Sequence, residues 1–229
     1  MQSIEGKQVN INNKLHDDTA IDAYIAPYRA HVEEEMSAVL AYNPVALTKE
    51  KEVLNAGIGN FMADASYEMA DAIFFSRTGQ HIDFVLLNWG GIRSDLSAGD
   101  ITTRSAYELM PFENKLVVLG LKGEKLLDFA RYMAKGKKPH PLSKQIELTI
   151  DADSNIHDFT LHGKKIDPEA TYYVATSDYL MNGGDGMTFF QNAESTYELD
   201  YLIRNILIDY FQKIDTLHAR KDKRFSMMK

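Results

Sequence analysis

A chain of 229 residues accommodates one large domain or two small ones. Its hydrophobic fraction of 45% supports a buried core and excludes a disordered chain, while a formal net charge of −8 argues against non-specific nucleic-acid binding, which needs basic patches to displace counterions. The absence of cysteine removes disulfides, zinc–thiolate sites and thiol nucleophiles together, and is compatible with the cytosol and with export alike. The first ten residues carry no apolar signal core, so the chain reads as cytosolic or as lacking a leader. No run approaches the ~18 apolar residues of a membrane span.

In chain order, Ile21, Tyr24, Ile25, Tyr28, Val32, Met36, Val39 and Leu40 recur at helical spacing, which predicts a helix over 19–40, packed on the rest. Pro27 predicts a kink or break within it. A second helix is expected after Gly59, with Phe61, Met62, Ala65, Met69, Ala70 and Ile73 on one face. Residues 83–87 (DFVLL) read as a buried strand ending at Asn88. A turn is expected around Ala98, Gly99 and Asp100, and then a short helix capped by Thr102 and stopped by Pro111. Residues 115–121 read as a strand and 123–134 as a helix with Leu126, Leu127, Ala130 and Met133 inward. A hairpin is expected over 145–161, a strand over 171–176, and a final helix over 200–211. Strand pairs and helices without strict β–α alternation indicate an α+β fold with a mixed β-sheet packed with helices.

Two glycine-rich segments each follow a predicted strand. In 88–93 (NWGGIR), Gly90 and Gly91 permit close approach of the backbone to a ligand, and Arg93 offers a fork of donors for a phosphate or carboxylate. The same residues suit a tight turn with a surface arginine. In 182–186 (NGGDG), Gly183, Gly184 and Gly186 surround Asp185, whose carboxylate can accept from vicinal hydroxyls; a plain turn fits equally. Phe112 and Tyr179 lie close to these segments in the chain and are candidates for stacking on a planar ring, or for ordinary core aromatics. Asp151, Asp153, His157 and Asp158 are the one concentration of candidate metal ligands, and they fall at a hairpin tip. Residues 151–155 imitate a calcium loop, but Ile156 and His162 stand where Gly and a bidentate Glu are needed. No metal site is expected.

Taken together, residues 88–93, 98–112 (AGDITTRSAYELMPF) and 174–186 (VATSDYLMNGGDG) resemble the C-terminal domain of the 5′-nucleotidase and UDP-sugar hydrolase family. Residues 56–64 (AGIGNFMAD) are similar to its helix start, and the resemblance runs from about Lys49 to Phe190. It implies a single domain over 1–229, with 1–48 as a helical lead-in and 49–229 as the core. It further implies a nucleoside or nucleotide ligand, held by Arg93 at the phosphate or sugar, shaped by Asn88, sandwiched by Phe112 and Tyr179, and bound at its ribose hydroxyls by Asp185.

This chain departs from the family's pattern in four ways. Tyr179 stands where the family commonly has Phe, and Trp89 where a small residue is usual, which would reshape the pocket. The stretch 48–54 (TKEKEVL) lacks the family's phosphate-binding arginines, leaving Lys49 or Lys51 as point charges. The motifs of the family's two-metal catalytic domain are absent, so no cofactor is expected in this chain and divalent metals only in a separate catalytic domain. That predicts a metallophosphatase partner, with a free-standing nucleoside-binding protein as the alternative. The family further implies a periplasmic or exported location, although nothing in these residues excludes the cytoplasm.

Overall fold

The computed structural model describes residues 3–12, 15–50 and 53–228. Contacts divide the chain into two compact units, Met1–Ala38 and Val39–Lys229. The first contains helix α1 (Thr19–Ser37), capped by Asp18, whose carboxylate accepts from the backbone N–H of Ala20 (2.9 Å) and Ile21 (3.2 Å). The helix continues through Pro27 without a break and has no buried residue. The expected end of the helix is corrected. The helix ends at Ser37, not Leu40, because Val39 and Leu40 belong to a strand whose backbone pairs elsewhere. Among the described residues of this unit nothing covers its apolar stripe: Tyr24 is 72% and Tyr28 64% accessible.

The second unit runs β1 (Val39–Asn43), α2 (Gly57–Thr78), β2 (Phe84–Val85), β3 (Gly99–Thr102), α3 (Thr103–Leu109), β4 (Lys115–Lys122), α4 (Gly123–Gly136), β5 (Ile146–Ile150), β6 (Ile156–Leu161) and β7 (Lys164–Lys165). It continues with β8 (Thr171–Ser177), α5 (Asp178–Met181), β9 (Ser195–Leu202), α6 (Ile203–Lys213) and β10 (Phe225–Met227). The expected turn at Gly99 is the first residue of β3, which pairs antiparallel with β1. Thr102 caps α3 as expected, with a reciprocal bond to Ser105. The final helix starts at Ile203 rather than Asp200, because residues 195–202 form an edge strand that the sequence did not suggest.

The mixed sheets and covering helices make an α+β fold. One sheet has the order β2-β8-β4-β9, with β2 parallel to β8 and the other pairs antiparallel. A second, β10-β5-β6-β7, contains the expected hairpin, and β1-β3 form a ribbon. Strand β4 shows how the layers form. Its side chains alternate, so Leu116 and Val118 join one core with Phe61, Phe74 and Ile206 of α2 and α6. Val117, Leu119 and Leu121 enter the other, with Leu126 and Phe129 of α4 and Leu148 of the hairpin. A strand buried on both faces reads as the continuous apolar run seen at 116–121.

The parallel pairing of β2 and β8 positions the loops that leave their C-terminal ends. Phe84 is opposite Val174 and Val85 opposite Ala175, so both chains leave the sheet at the same edge. The buried Thr176 hydroxyl donates to the Leu86 carbonyl (2.8 Å), locking the two exits together. The glycine-rich segments are nearly a hundred residues apart in sequence, and this edge makes them neighbours. Among the described residues, no helix is long and apolar enough to cross a membrane.

Candidate functional site

At this sheet edge lies an open cleft of about 330 Å³, lined by Asn88, Gly90, Gly91, Arg93, Phe112, Asn114, Tyr179 and Asp185. The five candidate side chains thus face one space. Asp185 sits at φ +53°, a backbone region that Asp tolerates better than most residues, between Gly183 and Gly186, which also have positive φ. Its carboxylate is fixed from both sides. The Tyr179 hydroxyl donates to Oδ1 (3.0 Å) and accepts from the Asp185 N–H (3.2 Å), while the Asn88 amide donates to Oδ2 (3.1 Å). Each oxygen keeps a lone pair for a further donor. Gly184 makes this arrangement possible, since a Cβ there would meet the Tyr179 ring at 2.4 Å.

Phe112 and Tyr179 are 39% and 44% exposed, so neither is a core aromatic. Phe112 is held by backbone. The Arg93 N–H donates to the Leu109 carbonyl (3.0 Å) at the end of α3, and Pro111 then turns the chain outward. Buried Arg204 of α6 donates to the carbonyls of Pro111 (3.3 Å) and Phe112 (3.5 Å) and pairs with Glu113 (2.6 Å), its guanidinium lying 4.2 Å from the Tyr107 ring centre. Arg93 itself lies 5.7 Å from the Phe112 ring centre. Sequence reading missed Arg204 and Asn114. Nothing local distinguishes Arg204 from a surface arginine on an amphipathic helix, whereas Asn114 follows Phe112 by two residues.

A second cation stands beside Arg93. The Lys49 ammonium donates to the Ile92 carbonyl (2.7 Å) and lies 5.4 Å from the Trp89 ring centre. Burial lowers its pKa, and the neighbouring Arg93 charge lowers it further. Lys51 lies outside the described residues. Trp89 does not line this cleft; it lines an adjoining one with His140. The Trp89 N–H donates to His140 Nδ1 (3.1 Å), and the Tyr132 hydroxyl donates to the Asp185 carbonyl (2.9 Å). Tyr132 and His140 are in ring contact, so together they buttress both glycine-rich segments from behind. Neither was singled out from sequence.

His140 gives the fold a pH dependence. Burial pushes its pKa down to about 4, with Lys138 reinforcing the shift and Asp185 opposing it. The unfolded ring takes up a proton below about 6.5, whereas the folded ring stays neutral until about 4, so stability is lost as pH falls through that window. Between pH 7.5 and 4.5 the expected loss from this group is about 2–3 kcal/mol. Urea unfolding of the wild type and of His140→Gln at both pH values measures it as the difference between their pH responses. Equal responses would exclude His140 as the cause.

The acidic hairpin tip is engaged by its own residues. Asp151 accepts from the Asn155 N–H (2.8 Å), the Asn155 amide (2.9 Å) and His157 Nε2 (3.0 Å), and these bonds hold its carboxyl well below the usual range. Among the described residues no three His, Asp or Glu side chains come together to hold a metal.

Residues 35–192 match the 5′-nucleotidase, C-terminal domain, family. The chain belongs to that family. Among its relatives are a 5′-nucleotidase of Vibrio cholerae, 23% identical over 91% of the chain, and protein UshA of Escherichia coli, 28% identical over 62%. The chain spans only 37% and 26% of their respective lengths, so this 5′-nucleotidase C-terminal domain corresponds to one part of larger proteins. The crystal structure of a 5′-nucleotidase precursor from Thermus thermophilus superposes with a TM-score of 0.74 at 25% identity, covering 91% of this chain and 42% of that one. A putative 5′-nucleotidase from Staphylococcus aureus, at 16% identity and a TM-score of 0.70, shares the fold, with 96% and 46% of the two chains covered.

Proposed function

We propose that this 5′-nucleotidase C-terminal domain is a nucleoside-recognition unit. A base stacks between Phe112 and Tyr179, the ribose hydroxyls donate to Asp185, and Arg93, with Lys49 beside it, faces the phosphate of a nucleotide. Asn88 acts through Asp185, whose Oδ2 it holds. The observation that carries the reading is the carboxylate of Asp185, braced at both oxygens on the border of a cleft that also holds two exposed aromatic rings. Such a carboxylate is organised for a vicinal diol before the ligand arrives, so little ordering cost remains. Phosphate-ester cleavage then belongs to a separate metallophosphatase domain or chain, whose two-metal site would supply the hydroxide. Location in the periplasm or outside the cell belongs to the same reading.

Calorimetry of the purified chain with adenosine and 2′,3′-dideoxyadenosine tests this. Adenosine is expected to bind at least about ten-fold more tightly, since hydrogen bonds to a charged group contribute about 1.5–3 kcal/mol each. Asp185→Gly, which suits the positive φ, is expected to abolish the preference. Equal affinity of the wild type for both ligands, or binding of neither, would sink the reading.

A further inference from the structure

Strand pairing decides where α6 begins. Lys115, the first residue of β4, is opposite Leu202, the last of β9, and the two strands are antiparallel. The residues that precede Lys115 therefore lie alongside those that follow Leu202. The former are 111–114, which carry Phe112 and Asn114 to the first cleft; the latter are the first turn of α6. The Ile203 N–H donates to the Asn114 carbonyl (3.0 Å). Arg204 Nη1 donates to the carbonyls of Pro111 (3.3 Å) and Phe112 (3.5 Å), and Nη2 to Glu113 Oε1 (2.6 Å). The start of α6 thus holds every residue from Pro111 to Asn114.

Stability alone gives a poor account of this arginine. Its side chain is 6% exposed, whereas that of its acidic partner Glu113 is 77% exposed. Its Nε is buried and has no hydrogen-bond partner among the described residues. A buried charge is costly to desolvate, an ion pair to an exposed carboxylate contributes little, and an apolar side chain of similar volume often serves stability as well. What the guanidinium does supply is geometry. A planar fork bonded to three successive residues, and lying 4.2 Å from the Tyr107 ring centre of α3, fixes both the position and the rotation of that stretch. Phe112 is 39% exposed, so packing by itself does not fix its ring.

The hold is one-sided. Tyr179, Asp185 and Asn88 stand on the segments that leave β8 and β2 and are bonded to one another. The Arg204 hydrogen bonds reach none of them.

We propose that Arg204 is a positioning residue that sets the Phe112 ring against the base, so that it governs affinity for the base and leaves recognition of the ribose diol intact. This rests on the nucleoside reading of the first cleft.

The test is calorimetry of the full chain and of its Arg204→Met and Arg204→Lys variants with adenosine and 2′,3′-dideoxyadenosine. Urea unfolding, measured alongside, gives the folded fraction of each. Arg204→Met is expected to bind both ligands about ten-fold more weakly, since one stacking face is misplaced. The ratio between the two ligands should stay within about two-fold of the wild type, because Asp185 keeps both its partners. Arg204→Lys keeps the charge without the fork and is expected to recover part of the loss. An unchanged affinity in Arg204→Met overturns the proposal. So does a loss that the unfolded fraction explains, or one in which the preference for the intact diol disappears as well, since either makes the role structural. Should Arg204→Met not fold, Arg204→Lys decides by the same two readings, and wild-type affinity in it overturns the proposal. If the wild type binds neither ligand, the nucleoside reading falls and this one with it; if it prefers adenosine and the variants match it, only the role of Arg204 is lost.

Discussion

Replacing Tyr179 by Ala is expected to weaken adenosine binding by about ten- to several-hundred-fold, the largest effect on binding of any single change in the first cleft. Two losses combine. A stacking face contributes about 1–3 kcal/mol per base. The hydroxyl that holds Asp185 Oδ1 and caps the Asp185 N–H disappears with it, freeing a loop already at positive φ. Tyr179→Phe separates the two. It restores the ring that the family commonly carries and removes only the tether, so a loss of no more than about ten-fold is expected, concentrated in ligands with an intact diol. Calorimetry with adenosine and its dideoxy analogue resolves these contributions. If Tyr179→Ala binds adenosine as well as the wild type, the base does not lie against this ring. Lys51→Ala, a change of one potential point charge, is expected to weaken nucleoside binding less than Tyr179→Ala.

The largest effect on stability is expected at Arg224, far from the cleft lining. Its side chain is 5% exposed and uses every donor. It donates to both Asp64 oxygens (3.0 and 2.9 Å), to both Asp222 oxygens (2.6 to 3.1 Å), and to the carbonyls of Leu142 (2.5 Å) and Asn60 (3.4 Å). Burial pushes the Asp222 carboxyl up, but the bonds from Arg224 outweigh it and leave its pKa below the usual value. This one guanidinium joins the segment before β10 to α2 and to the loop before β5. Arg224→Met keeps the volume and strands two carboxylates. Breaking a buried ion pair typically costs about 3–5 kcal/mol. Because Asp64 and Asp222 are 30% and 38% exposed and water can reach them, the lower end, about 3 kcal/mol, is expected. Urea denaturation at pH 7 measures it; a loss under about 1 kcal/mol would show that the network is dispensable.

The two results bear on each other. Arg224 donates to the Leu142 carbonyl, and Leu142 bridges to Leu86, two residues before Asn88. A variant that unfolds more easily is nonetheless expected to bind adenosine with wild-type affinity once folded, since the hydrogen-bond partners of the Arg224 side chain, Asn60, Asp64, Leu142 and Asp222, do not line the first cleft.

Elements whose signals are local were legible from the residues alone. The apolar run at 116–121 reads as a doubly buried strand because both faces of β4 are covered. Thr102 announces α3 because capping is a contact between near neighbours. The glycine-rich segments and the aromatics beside them were legible as candidates, and their order along the chain carried the family resemblance. Strands β1, β3 and β9 were not legible, because each pairs with distant residues, and a strand edge is defined by its partner rather than by its own residues. Local residues left Phe112 and Tyr179 open between core and clamp; only the tertiary fold exposes both on one cleft. That cleft exists because two strands pair in parallel for just two residues and the Thr176–Leu86 bond fixes their exits. Arg204, Tyr132 and His140, which hold the cleft from behind, were invisible for the same physical reason: a buttress is recognised by what it touches, and its contacts lie about fifty or more residues away along the chain.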